Sequence, residues 1–442
     1  MSRADSLPRF VTTELRDFLR CGVLSEGFAR MHCDACGHDR LVGLSCKGRG
    51  FCPSCGGRRM TELAAHLVDC VLPVTRTRQW VLSLPFELRA PIAWNHNLAL
   101  AVQRVVVRAV LGMYRRRAQQ AGIADGRTGA ASVIQRFGSA LNLNPHFHLL
   151  VPDGVFASDE SGALRFHPTK RFSRADIERV VQSIRVRVTR LLARRTLHED
   201  VLNPLASCYA TSLTNAGTRE PPTHERTLRL STFHAERVLA KKPAGLRARD
   251  EGFDLHAGVV VPRNQRKLLE HVCRYLTRPA ISHERITLTE TGRVRIQLKT
   301  PWQNGTTHLT LDPLAFCARL AALIPRPRKN LLGYHGVLAP NARLRARIVI
   351  VGRSKKSTAS ARVKTKRPHR AWADLMRRTF AIDVTVCPKC SGRLRLMAIL
   401  LKPRAAVAIL RSLGLPHERI NPAPSRGPPD ENRFDEQDSQ VA

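Results

Sequence analysis

The chain has 442 residues, with 73 Lys or Arg against 35 Asp or Glu, for a formal charge of +38. Its 43% apolar content argues against a disordered chain and allows two or three domains with a sizeable core. The charge excess favours a polyanionic partner, nucleic acid ahead of an acidic membrane surface, and no apolar run near the ~18 residues of a spanning helix stands out.

The N-terminus, MSRADSLPRFVTTELRDFLR, alternates charged and apolar residues and lacks a signal-peptide core. A cytoplasmic, nucleoid-associated protein without a membrane segment is therefore expected. In that compartment clustered cysteines read as metal ligands rather than disulfides. Six of the twelve cysteines fall between Cys21 and Cys55. Within MHCDACGHDRLVGLSCKGRGFCPSCGGRRM (31–60), fifteen residues separate Cys33-x-x-Cys36 from Cys52-x-x-Cys55. That spacing matches a tetrahedral four-thiolate zinc site. Gly37 and Gly56 follow the pairs, where a tight turn needs positive φ. The expected ligands of a structural Zn2+ are Cys33, Cys36, Cys52 and Cys55. Cys46, Cys21, His32 and His38 are spare donors, which leaves open a Cys46 substitution for one of the four or a second site. Four protein ligands close such a site, so chemistry is expected elsewhere. Lys47, Arg49, Arg58 and Arg59 surround the cluster, which suits DNA contact.

Further along, RQWVLSLP (78–85) predicts a strand and 92–120 a long helix ending on Arg115, Arg116 and Arg117. Residues 131–141 and 145–151 predict two strands of a hairpin. In the second, side chains alternate between faces. His146, His148 and Leu150 share one face, and Phe147, Leu149 and Val151 share the other. Two imidazoles so placed can reach one divalent ion. An isolated pair of this kind more often packs than binds; here a basic chain, a cysteine cluster and a candidate nucleophile accompany it.

That nucleophile is Tyr275. Residues 173–195 predict an Arg-rich helix, and 264–278 a second helix stopped before Pro279. On a helical wheel of the second, Leu268, Leu269, Val272, Cys273 and Leu276 make an apolar arc. Tyr275 sits just off the arc, with Lys267, His271 and Arg278 beyond it. A phenol anchored by its ring and flanked by cations suits attack on a phosphodiester. Strands at 293–298 and 306–311 and a helix at 312–323 follow. Residues 352–370 read as a basic linker lying on nucleic acid. The module at 372–412 carries Cys387-Pro-Lys-Cys390, which needs zinc ligands from elsewhere, another chain included. The tail beyond reads as disordered.

The order of these motifs, CxxC…SCKGRGFCPSCGGRRM, QRFGSALNLNPHFHLLVPDGVF, CRYLTRP, YHGVLAPNARLR and CPKC, resembles the rolling-circle insertion-sequence transposases of the IS ninety-one family, within the HUH single-strand endonuclease superfamily. The resemblance spans about residues 20 to 400. It implies an α+β fold: an N-terminal zinc-binding module, an RRM-like antiparallel sheet with helices, and a small C-terminal CxxC module. The domains expected are 1–72 for zinc and DNA recognition, 75–350 for catalysis, 351–371 as basic linker, 372–412 as C-terminal module and 413–442 as tail. His146-Phe147-His148 match the family's metal motif, and Tyr275 matches the nucleophile that forms a 5′-phosphotyrosine link. His271 stands where the founding pattern has a second tyrosine, so the chain resembles the single-tyrosine branch. A third metal ligand is sought at Gln135, with Asp153 and Glu270 as rivals, Asp153 on the opposite strand parity. The implied cofactors are Zn2+ and a catalytic Mg2+ or Mn2+. The implied partners are single-stranded DNA at transposon ends and target DNA, with Lys47, Arg58, Arg59, Lys267 and Arg278 as contacts, and an oligomer is compatible with the pattern. The rival readings are a non-catalytic zinc-containing nucleic-acid binder and a small-molecule metal hydrolase, the latter disfavoured by the charge.

Overall fold

The computed structural model describes residues 7–194, 205–213, 218–220, 246–281, 283–299, 301–302, 304–353 and 371–418. Most of the expected basic linker (354–370) and the tail beyond 418 lie outside the described residues. The N-terminal region runs α1 (Arg9–Leu19), β1 (Phe28–Cys33), β2 (Asp39–Gly43) and α2 (Pro53–His66), the last prolonged by a π turn, Leu67–Val71. Pro53 opens α2, where a fixed φ and a missing N–H do no harm.

There follow β3 (Thr77–Ser83), α3 (Arg89–Trp94), α4 (His96–Gln120), β4 (Gly129–Phe137), β5 (Leu143–Pro152), β6 (Gly154–Ser158), β7 (Leu164–Pro168), α5 (Arg174–Ala193), α6 (Ala206–Leu213) and β8 (Thr218–Glu220). Then come β9 (Arg247–Asp250), β10 (Phe253–His256), β11 (Val260–Val261), α7 (Arg266–Thr277), β12 (Ile286–Leu288), β13 (Val294–Gln297), β14 (His308–Leu311), α8 (Pro313–Leu323), β15 (Leu332–Gly336) and α9 (Arg345–Val349). The C-terminal part holds α10 (Trp372–Phe380), β16 (Leu394–Leu400) and α11 (Pro403–Ser412). The chain is thus a mixed helix and sheet protein.

The largest sheet has the order β15-β4-β5-β3-β10-β9, with β11 also on β3, and β5 lies inside it. Its pairings are antiparallel. One face carries Trp80, Leu82, Phe147, Leu149 and Val151 into a core with Val102, Val106 and Val110 of α4 and Ile177, Val181 and Ile184 of α5. The other carries Ala131, Val133 and Leu150 against Leu269, Val272, Cys273 and Leu276 of α7, joined by Ala64 and Leu67 from the end of α2. A strand covered on both faces reads as nearly continuous apolar sequence, as HFHLLV does apart from its histidines.

The predicted helix over 92–120 is broken at Asn95, whose Oδ1 accepts the Leu98 N–H at 3.0 Å and caps α4. By length and composition α4 does reach the apolar run thought absent, but 72% of its most apolar window is buried inside the fold. The strand predicted to reach 141 ends at Phe137, ahead of a turn in which Leu141 takes φ 55°. The C-terminal segment, expected as a separate module, adds β16 to the N-terminal sheet in the order β16-β1-β2. The register runs from Phe28↔Leu400 to Cys33↔Leu394.

Candidate active site and metal centres

The hairpin register sets Gln135 of β4 and Ser83 of β3 directly across from His146, and Val133 and Val81 across from His148. The two imidazoles stand with centroids 4.8 Å apart, on the face that α7 covers. Burial, aided for His146 by the positive field of Arg278 and Arg89, pushes the His146 imidazole down to about 4 and His148 well below its ordinary value. Both are therefore neutral at neutral pH, the form that ligates metals.

The hydrogen bonds define which lone pairs are free. His146 Nδ1 lies 2.7 Å from the Asn144 carbonyl oxygen, which can only accept, so Nδ1 carries the proton and Nε2 a lone pair. That Nε2 faces Gln135 Oε1 at 2.9 Å. The Gln135 amide nitrogen points to the carbonyls of Tyr275 and Leu276, both at 3.5 Å, which favours this amide orientation. Two acceptors thus face each other at the separation of neighbouring ligands on an octahedral ion, about 3 Å for bonds of about 2.1 Å. The Nε2 of His148 is also buried and has no hydrogen-bond partner among the described residues; its Nδ1 meets Gln79 Nε2 at 3.1 Å. Two nitrogens and an amide oxygen fit a divalent transition ion, or magnesium completed by waters.

Tyr275 lies over this group. Its ring meets His148 edge-on, centroids 6.4 Å apart at 84°. The Arg278 guanidinium sits 4.5 Å and the Lys299 ammonium 5.5 Å from the ring centroid, within cation–π range. Helix α7 buries the predicted arc, Leu269, Val272, Cys273 and Leu276, and ends at Thr277, with Arg278 extended before Pro279. Lys267 is exposed, about two turns before Tyr275, and His271 pairs with Arg274 at 3.2 Å. Gln79, Arg89 and Lys299 were not singled out from sequence, because they reach the site from three other elements and carry no spacing signal.

The rival oxygen ligands are engaged elsewhere. Asp153 is fully buried between Arg78 (2.9 Å from both Nε and Nη2), Arg76 at 2.9 Å and the Tyr114 hydroxyl, which donates at 2.9 Å. Glu270 binds Arg378. Both are structural partners of arginine.

The cysteines require a correction. The expected quartet Cys33, Cys36, Cys52 and Cys55 is divided between two clusters: Cys21, Cys46, Cys52 and Cys55, and Cys33, Cys36, Cys387 and Cys390. In the first, Sγ separations are 3.4 Å (Cys46–Cys55), 3.5 Å (Cys21–Cys52) and 3.9 Å (Cys21–Cys55). Sulfurs about 2.3 Å from one tetrahedral zinc lie about 3.8 Å apart, so the set fits zinc. Hydrogen bonding from Cys46 and Cys52 lowers the Cys21 thiol to about 7. Cys46, expected as a possible substitute, and Cys21, a spare donor in the sequence, take the places of Cys33 and Cys36 beside Cys52 and Cys55. The backbone N–H groups of Cys46 and Gly48 support these sulfurs at 3.5 and 3.3 Å.

Gly37 has the predicted positive φ (71°). Gly56 instead lies inside α2, where an added Cβ would come 2.7 Å from Pro279. Its bareness lets the zinc-domain helix approach the end of α7. Arg59 donates to the carbonyls of Gly48 (3.2 Å) and Lys47 (3.3 Å), holding the cysteine loop. Arg58 lies over Trp372 at 5.9 Å, and Lys47 is exposed.

Residues 1–84 match the family described as "Transposase zinc-binding domain", and residues 129–345 the family described as "Putative transposase". A curated relative, "Putative transposase y4qJ" of Sinorhizobium fredii, is 33% identical over 129 residues, 29% of this chain and 31% of that protein. The matched stretch thus spans about a third of the relative's length. No solved structure matches.

Proposed function

We infer that this chain, whose two matched regions are a transposase zinc-binding domain followed by a transposase domain, nicks and rejoins single-stranded DNA at the ends of an insertion sequence. The observation that supports the reading most is the meeting of the Tyr275 ring with His148, beside the facing His146 Nε2 and Gln135 Oε1. His146, His148 and Gln135 would hold a divalent ion, Mg2+ or Mn2+, which when bound supplies Lewis-acid polarisation of a phosphate. Tyr275 attacks phosphorus through its phenolic oxygen, the 3′-oxygen of the preceding nucleotide leaves, and a 5′-phosphotyrosine results. A later 3′-hydroxyl reverses the exchange, so rejoining needs no nucleotide triphosphate. Arg278 and Lys299 offset the phosphate's charge and favour the phenolate. The antiparallel sheet with helices on both faces accords with an RRM-like core. Lys47, Arg58 and the overall charge of +38 suit a DNA track toward the site.

The test is a covalent-adduct assay on oligonucleotides from the element's ends. A denaturant-resistant adduct is expected with single strands and added Mg2+ or Mn2+, and none with Tyr275→Phe. An undiminished adduct in that variant would remove Tyr275 from the chemistry. DNA binding without any adduct would leave only a zinc-containing binder.

A further inference from the structure

The second cysteine cluster joins opposite ends of the chain: Cys33 lies 357 positions from Cys390, yet their sulfurs are 3.4 Å apart, and those of Cys36 and Cys387 are 3.7 Å apart. These are tetrahedral edges around an ion about 2.3 Å from each sulfur. The two pairs share one local design. The Cys33 N–H reaches the His38 carbonyl at 2.9 Å, and the Cys387 N–H reaches the Gly392 carbonyl at 2.7 Å. The partners are five positions apart in both. Gly37 and Ser391 return N–H groups to the Cys33 and Cys387 carbonyls, both at 2.9 Å. Each takes a left-handed φ, 71° and 59°, although serine lacks glycine's freedom there. The β1–β16 register, which sets Cys33 opposite Leu394, brings the two knuckles side by side.

We propose that Cys33, Cys36, Cys387 and Cys390 bind a second zinc ion, and that this ion staples residues 371–418 to the N-terminal module. Apolar packing around the staple is thin. Its buried cluster is Cys33, Cys387 and Leu394 with Met31 beside it, and a neighbouring one holds Phe28, Ala406 and Leu410, edged by the half-buried Leu24, Leu41, Leu400 and Ile409. Strand β16 leaves Leu396, Met397 and Ile399 about half exposed, at 49%, 49% and 55%. Small units with so little core depend on a cross-link or a metal. The held segment in turn places Arg378 against Asp69 (2.5 Å) and against Glu270 of α7 (2.7 Å). The ion therefore supports, at a distance, the helix that carries Tyr275. The assignment stands on the cysteine geometry and is independent of the DNA chemistry proposed above.

Two measurements on the full chain decide it. Zinc per chain, read by elemental analysis of metal-replete protein, is expected to be two. It should fall to one in Cys387→Ser/Cys390→Ser and likewise in Cys21→Ser/Cys52→Ser. In the second, a protease site is inserted within residues 354–370, the protein is cut, and the C-terminal fragment is followed by gel filtration. The fragment should stay with the body in zinc buffer and separate after chelation. Chelation removes both ions, so Cys21→Ser/Cys52→Ser, which lacks only the first, is cut in parallel and should still retain the fragment in zinc buffer. One zinc per chain unchanged by Cys387→Ser/Cys390→Ser, or a fragment retained equally without metal, overturns the proposal. Two zincs per chain with a dimer that dissociates on chelation overturns the intrachain staple in favour of a site shared between copies.

Discussion

Nε2 of His146 and Oε1 of Gln135 stand 2.9 Å apart as two acceptors, and the same glutamine's amide nitrogen points to the backbone of the helix that bears Tyr275. Where the two are shielded from water, that contact is unfavourable unless a cation lies between them. Gln135→Ala should therefore weaken Mn2+ binding by at least about tenfold, roughly 1.4 kcal/mol, and His146→Ala by more. Titration of Mn2+ followed by electron paramagnetic resonance checks this. Equal affinity in Gln135→Ala would mean that Gln135 is not a ligand.

Acid should destabilise the metal-free protein. In the unfolded chain a histidine takes up its proton near 6.5, whereas folded His146 refuses it until about 4 and burial holds His148 well below its ordinary value. Between those values the unfolded state binds more protons, so stability present above pH 6.5 declines as pH falls. The slope is up to about 1.4 kcal/mol per pH unit for each histidine. Urea unfolding in chelator between pH 7 and 5 gives the slope, and His148→Gln should flatten it. A slope unaffected by that change would contradict the burial argument.

Asp153→Asn should be among the costliest single changes. Arg78 is almost as buried as the carboxylate it grips with two bonds. A buried guanidinium deprived of its counter-charge costs about 3–5 kcal/mol. Denaturant titration reads this directly, with the zinc content of the variant expected to match wild type because the pair lies in the sheet, away from both cysteine clusters.

Gly56→Ala tests the contact between α2 and the end of α7. The new methyl would sit 2.7 Å from the Pro279 Cβ, an overpacking that costs about 1–3 kcal/mol. A lowered melting temperature with both zinc ions retained is expected, and reduced adduct formation with it. An unchanged melting curve would show that α7 can retreat freely.

Much of the candidate site was legible in the chain. The strand period placed His146 and His148 on one face, and the helical period set Tyr275 at the edge of an arc whose Leu269, Val272, Cys273 and Leu276 are buried. Gln135, sought on the preceding strand through the family resemblance, lies opposite His146. Lys299 and Gln79 were not legible, since each enters from an element remote in sequence. The helix break at Asn95 was missed because apolar periodicity continues across it, while the capping signal is a single side chain.

Residue order by itself determined what is local: alternation along β5, the arc of α7, and the pairing of two sulfurs within each CxxC knuckle. Only the tertiary structure decided which knuckle shares a metal cluster with which. Fifteen residues between Cys36 and Cys52 suggested one site, yet Cys33 and Cys36 lie with Cys387 and Cys390. The reason is physical. The entropy of closing a loop grows only with the logarithm of its length, so the nearer thiol pair is favoured by only about 3 kcal/mol over the remote one, which strand pairing can outweigh. The antiparallel pairing of β1 with β16 makes the choice.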